Sequence, residues 1–244
     1  MEKRARRTGE AEAETRRQHS CALFVLCLLS GLVLTLCGLF GAVVYNALRP
    51  DLLKAGMETQ VAAQGVIGVA DADAFADETT AYLSGAKAEW EPVVTYSDHA
   101  LLIPQDFRIH MARVRFWLVT AQTALPIAAA AGVLMLCLCA FATRRKRFSP
   151  AGYYTGAAVP LLAALSAVVW GLADFNGFWA WLHYTFIPDG VFNAAEEIMR
   201  LFPETLFSGY IAPVCIAFGF ALAAVAILPL LARRVFGAGR QVKG

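Results

Sequence analysis

"HMARVRFWLVTAQTALPIAAAAGVLMLCLCAFATRRKR", residues 110–147, is the stretch that decides the fold. From Phe116 to Thr143 it has no charged residue, which exceeds the roughly 20 helical residues that cross a hydrocarbon core. Backbone N–H and C=O groups in lipid must be satisfied within their own segment, so the run reads as an α-helix. It closes on Arg144, Arg145, Lys146 and Arg147, and it is preceded by His110, Arg113 and Arg115.

Three more uncharged runs of spanning length follow the same rule: Cys21 to Tyr45, Phe148 to Ala173 and Thr205 to Ala232. The chain is 58% apolar and 16% charged, too greasy for one soluble domain of ordinary composition. The expected fold class is an all-α polytopic membrane protein, a four-transmembrane-helix bundle. A small extracytoplasmic cap of short helices, with room for one β-hairpin, completes it. The expected order is a basic leader (1–20), span one (21–45), the cap (46–112), span two (113–143), a short loop (144–150), span three (151–174), an aromatic segment (175–207), span four (208–232) and a tail (233–244). The first span is uncharged for longer than the roughly 7 to 15 apolar residues of a signal core, so it is expected to be retained.

Lys and Arg set the orientation. They crowd the leader, the 144–147 link and the tail, whereas residues 46–112 hold 10 acidic against 4 basic residues and 174–204 hold 5 against 1. Both termini are therefore expected in the cytoplasm, with the two acidic segments on the outer side of the membrane. Anionic lipid at the inner leaflet accounts for the basic clusters, so no nucleic-acid partner is expected. All six cysteines fall inside expected spans as small apolar side chains. Cys137 and Cys139 point two ways on a helix and lack further ligands, so no metal is expected.

The leader "MEKRARRTGEAEAETRRQHS" mixes charges without an apolar face and is expected to be disordered or frayed. In the cap, Asp73 to Gly85 suits a short capped helix, and residues 92–104 suit a hairpin turning at Ser97 and Asp98. The aromatic segment, from Phe175 through Trp179, Trp181, Phe186, Phe192, Phe202 and Phe207 to Tyr210, is expected at headgroup level. Within it "FNAAEEIMRLF" (192–202) is expected to form a short helix along the interface.

His110 and His183 stand at the same end of their spans, where two helices of one bundle can bring them together. An imidazole changes charge near neutral pH and can take or give a proton. The plainer alternative for each is an interfacial histidine bonded to a headgroup or a neighbouring carbonyl. His99, in the hairpin, is left with that alternative. Asp106 is four residues before His110 and Arg113 three after, so the three share a helix face. Asp106 can hold the imidazole tautomer or simply cap the helix start. Arg113 and Arg115 can anchor the span end or polarise an ester carbonyl. No Gly-x-Ser-x-Gly elbow, His-Glu-x-x-His pair or Gly-rich phosphate loop occurs. Proton transfer on something carried to the membrane surface is what remains.

"HMARV" (110–114) and "LHYTFIPDGVFNAAEEIMRLFPETLF" (182–207) resemble the two external motifs of the lipoprotein intramolecular transacylases of Gram-positive bacteria, and "AYLSG" (81–85) is similar to a further patch in their cap. That family has a His-Met-x-Asp-Val at the start of span two and a Phe-His-x-x-Phe-Phe motif, with a downstream Trp, after span three. The resemblance runs in register from the first span to the last. Here Arg113 stands where the family has Asp, Ile187 replaces the second Phe, and Phe192 lies near the place of the Trp.

The resemblance implies His110 and His183 as the catalytic pair, with Asp106 or Asp189 in place of the missing Asp. Arg113, Arg115, Trp181 and Phe186 become expected substrate-binding or supporting residues. It also implies the substrate: a diacylglyceryl-cysteine lipoprotein N-terminus, drawn from membrane lipid surroundings, whose O-acyl chain moves to its own cysteine amine. No cofactor is implied. The competing expectation is a non-enzymatic membrane protein that binds lipid or a protein partner in the same crevice.

Overall fold

The computed structural model describes residues 2–96, 99–143, 150–187, 192 and 196–237, with backbone alone at 2–19, 69, 96, 99, 204 and 237. It is mostly helical, in the order α1 (Glu2–Ala47), α2 (Pro50–Gly56), α3 (Val69–Leu83), α4 (Gln105–Ala142), α5 (Ala151–Ala173), α6 (Phe175–Phe186), α7 (Glu197–Leu201), α8 (Glu204–Ser208) and α9 (Ile211–Gly237). Four stretches are long and apolar enough to cross a membrane: Ser20–Ala47, Gln105–Ala142, Ala151–Ala173 and Ile211–Phe236. The protein is a multi-pass membrane protein.

The first helix differs from the sequence expectation. Helix α1 begins at Glu2, so the leader is helical rather than disordered or frayed. Its Ala, Glu and Arg are strong helix formers, and extending an existing helix avoids the nucleation step. Helix α4 begins at Gln105, just after Pro104 closes the preceding loop. His110 thus belongs to the same continuous helix as the apolar run.

The chain divides into two compact units. One comprises Met1–Gly38, Pro126–Ala163 and Phe220–Gly244; the other comprises Leu39–Leu125 and Ala164–Gly219.

In the first unit, α1 and α5 meet backbone to backbone. A Cβ added at Gly31 would collide with the Tyr153 carbonyl, one at Gly156 with the Leu28 carbonyl, and one at Gly152 with the Phe24 carbonyl. Gly152 and Gly156 form a Gly-x-x-x-Gly pair, the device by which helices approach closely where lipid offers no hydrophobic drive to associate. Three polar side chains here donate to backbone carbonyls. Ser30 Oγ donates to Gly132 O at 2.7 Å. Pro229 in α9 has no N–H for the carbonyl four residues earlier. That carbonyl, Val225 O, instead accepts the Tyr153 hydroxyl at 2.8 Å, and the next, Ala226 O, accepts the Tyr154 hydroxyl at 3.1 Å. An unsatisfied carbonyl in hydrocarbon costs several kcal/mol, which is the physical reason for Tyr153 opposite the proline.

The second unit contains the short helices and the aromatic core. Pro50 opens α2 after the extended Arg49; a π turn (Met57–Val61) and a 3₁₀ turn (Ala62–Gln64) follow, ending at Gly65 with φ 72°. Helix α3 starts at Val69, ahead of Asp73, and ends before Gly85 with φ 87°. Thr95–Tyr96 (β1) pairs antiparallel with His99–Ala100 (β2), and the pairing continues inward through Leu101 N–H to Val94 O at 2.9 Å. The core gathers Met57, Val61, Phe75, Trp90, Val94, Phe107, Met111, Leu201 and Phe202. Each such side chain contributes about 1.5–3 kcal/mol by burial. In helix α7, Ile198 and Leu201 are 1% and 0% exposed, so its apolar side lies in the protein core, in the same cluster as Phe75 and Phe202.

Candidate functional site

Helix α4 presents Phe107, His110, Met111 and Val114 on one face, the spacing of a buried helical stripe. The first three are 3%, 8% and 5% exposed. Asp106 stands in the first turn of α4, where its Oδ1 accepts the Phe107 N–H at 2.9 Å. This satisfies one free amide of the first helical turn, and Asp106 itself is exposed.

Helix α6 begins where Asp174 caps it, Oδ1 accepting the Gly177 N–H at 2.9 Å. One face carries Phe175, Trp179 and His183 at intervals of four. His183 Nδ1 lies 2.9 Å from Trp179 O. A carbonyl only accepts, so Nδ1 carries the hydrogen and Nε2 is the basic nitrogen of the neutral ring. The Trp179 indole meets the His183 ring edge-on at 4.6 Å and stacks on Phe207 at 4.6 Å.

The two imidazoles face each other. Their centroids are 5.7 Å apart and their planes 18° from parallel. Phe107 stands 5.8 Å from the His110 ring and Phe192 meets it edge-on at 5.3 Å. His110 is thus enclosed by rings, whereas His183 is only half-buried. Two stacked imidazoles can accept a proton at one position and donate one at another within a single small volume.

The remaining expected residues fall elsewhere. Arg115 donates from Nε to Tyr82 O at 3.0 Å and from Nη2 to Lys87 O at 2.9 Å, with its guanidinium 4.9 Å over the Tyr82 ring. It thereby clamps the carbonyl end of α3 at the "AYLSG" patch, where a cation also favours the helix dipole. Arg113 is half-buried one turn after His110. Trp181 packs against Trp170 at 5.5 Å and Phe186 at 6.2 Å, on a different side of α6 from Trp179. Asp189 lies outside the described residues, as do Ser97 and Asp98.

The sequence had flagged Trp179 only as a member of an aromatic segment, and Phe192 as that and as lying near the place of the Trp in the transacylase motif. Their signal was spacing: Trp179 precedes His183 by four residues, the distance at which a helical carbonyl reaches the next turn. Phe202, expected at headgroup level with them, is 7% exposed in the protein core. Among the described residues, no group of three His, Cys, Asp or Glu side chains is placed to hold a metal ion. Compared with known proteins, the chain matches no family model, no curated protein and no solved structure.

Proposed function

We propose that the protein is a membrane acyltransferase that moves an O-linked acyl chain of a diacylglyceryl-cysteine lipoprotein onto that cysteine's α-amine, giving the lyso form. The observation that carries the reading is the near-parallel pairing of His110 and His183 at 5.7 Å. The likeness of their flanking residues to the transacylase motifs supplies the substrate class.

In this reading the amine attacks the ester carbonyl; a C–N bond forms and the C–O bond to glycerol breaks. An α-amine with a pKa near 8 must shed a proton to attack, and the departing glyceryl oxygen must gain one. One imidazole takes the first proton and the other supplies the second, so the pair ends with its original proton count. Donor and acceptor belong to one molecule, so the protein's main task is to bring amine and carbonyl together. The Lys and Arg distribution orients both termini to the cytoplasm and the short helices of the second unit outward as a cap. Arg115 and Asp106 are positioning residues, through α3 and the start of α4. Arg113, one turn from His110, is the candidate to face the ester oxygen.

The test is purified protein with a synthetic diacylated lipopeptide, read by mass spectrometry. Conversion to an isobaric product whose acyl chain is amide-linked supports the proposal. Release of free fatty acid would make the protein an acylase instead. Unchanged lipopeptide with intact protein would leave only lipid or partner binding in the crevice.

A further inference from the structure

Helix α6 has twelve residues, eight of them apolar or aromatic if alanine is counted, none charged, and none buried. Its face bearing Phe175, Trp179 and His183 turns to Phe207 and His110. A second stripe turns away. Phe178 lies 5.8 Å from Trp170 of α5 and 6.3 Å from Trp181; Trp181 contacts Trp170 at 5.5 Å, and Phe186 meets Trp181 edge-on at 6.2 Å. Trp170, Trp181 and Phe186 are 39%, 46% and 49% exposed, and neighbouring Tyr184 is 66% exposed.

This stripe continues the exposed face of the second half of α5, where Leu165, Val169 and Leu172 are 53–71% exposed on a helix of spanning length. Continuity with that apolar face identifies the occupant as lipid. The absence of any charge on α6 argues against a soluble partner, whose interface rim is normally charged and polar. The rings that carry a polar tip, Trp170, Trp181 and Tyr184, are the kinds that settle at the headgroup boundary.

We propose that the Trp170–Phe178–Trp181–Phe186 stripe is a lipid-binding surface that keeps α6 in the headgroup layer of the bilayer, and so holds His183, on its other side, at the depth of a lipid's ester bonds. This inference deepens the proposed acyl transfer and rests on that reading only in its last clause. A molecule anchored in the bilayer then reaches the imidazole sideways, without leaving the membrane.

Full-length protein is reconstituted into phosphatidylcholine–phosphatidylglycerol vesicles that carry a doxyl quencher near the headgroup or deep in the chain. Wild-type tryptophan emission is compared with that of Trp181→Phe. The emission lost in the variant is expected to be the part quenched most by the shallow label, less by the deep label and least by aqueous acrylamide. A Phe186→Trp variant is expected to add emission with the same ranking. Emission from either position that acrylamide quenches and lipid labels spare would overturn the proposal. These readouts involve no catalysis, so they stand or fall separately from the lipopeptide assay.

Discussion

Two sets of polar side chains, one in each unit, are put to opposite use among the apolar helices. In the first, Ser30, Tyr153 and Tyr154 each donate to a main-chain carbonyl, and glycines bring α1 against α5. Every one of these groups is fully employed in holding helices together. In the second, His183 spends one nitrogen on Trp179 O and turns its ring toward His110, leaving a basic Nε2 beside a second imidazole. Removing Ser30, Tyr153 or Tyr154 is therefore a question of stability, and removing His183, under the proposed function, a question of chemistry.

The largest effect that would sharpen this contrast is on activity. Under the proposed function, His183→Ala lowers lyso-lipopeptide formation by about 10²–10⁴, the range for losing a general acid or base. Its unfolding midpoint in detergent moves little, since the side chain is half-exposed. Gly156→Leu is expected to do the reverse of a purely chemical lesion: α1 and α5 must separate, destabilising by at least about 1–3 kcal/mol, seen in denaturant titration of the purified protein.

Tyr153→Phe comes next, at about 1 kcal/mol for a lost hydrogen bond within a membrane bundle. In a Pro229→Ala background the restored amide can serve Val225 O, so the same change is expected to be milder, and a double-mutant cycle gives the coupling. Equal cost in both backgrounds would detach the tyrosine from the proline. Arg115→Lys loses the two-carbonyl clamp, and amide exchange over residues 82–87 is expected to quicken while the first unit is unaffected.

The smallest effect is at Asp51. Its hydrogen bond from Arg49, ahead of their direct charge attraction, holds the carboxyl below the ordinary carboxylate range. A lowered pKa contributes stability above the ordinary value, and that contribution fades as pH falls through the lowered one. Both side chains are solvent-exposed, so screening keeps it slight. Asp51→Asn should shift the unfolding midpoint near neutral pH by less than any change above, and not at all in strong acid.

Composition and run length made the four apolar helices readable, because lipid leaves a spanning backbone few options. His110 and His183 were conspicuous as ionisable groups at helix ends. What encloses them was not readable: Phe107, Phe192 and Trp179 look like any interfacial aromatic until packing selects them. Pairings across the chain were equally hidden. Tyr153 and Val225 are 72 residues apart, and no local pattern links a tyrosine on α5 to a proline on α9. The leader misled for the opposite reason, since its charges suggested solvation while its helix propensity prevailed.

The central claim is that His110 and His183 work as one proton-handling pair. It is tested most directly by the lyso-lipopeptide rate of His110→Ala, His183→Ala and the double variant, each checked for folding. Groups that act as a unit are strongly non-additive. The account predicts that either single change removes nearly all the rate and that the double is scarcely slower. Near-wild-type activity in either single variant, or losses that multiply in the double, would contradict it.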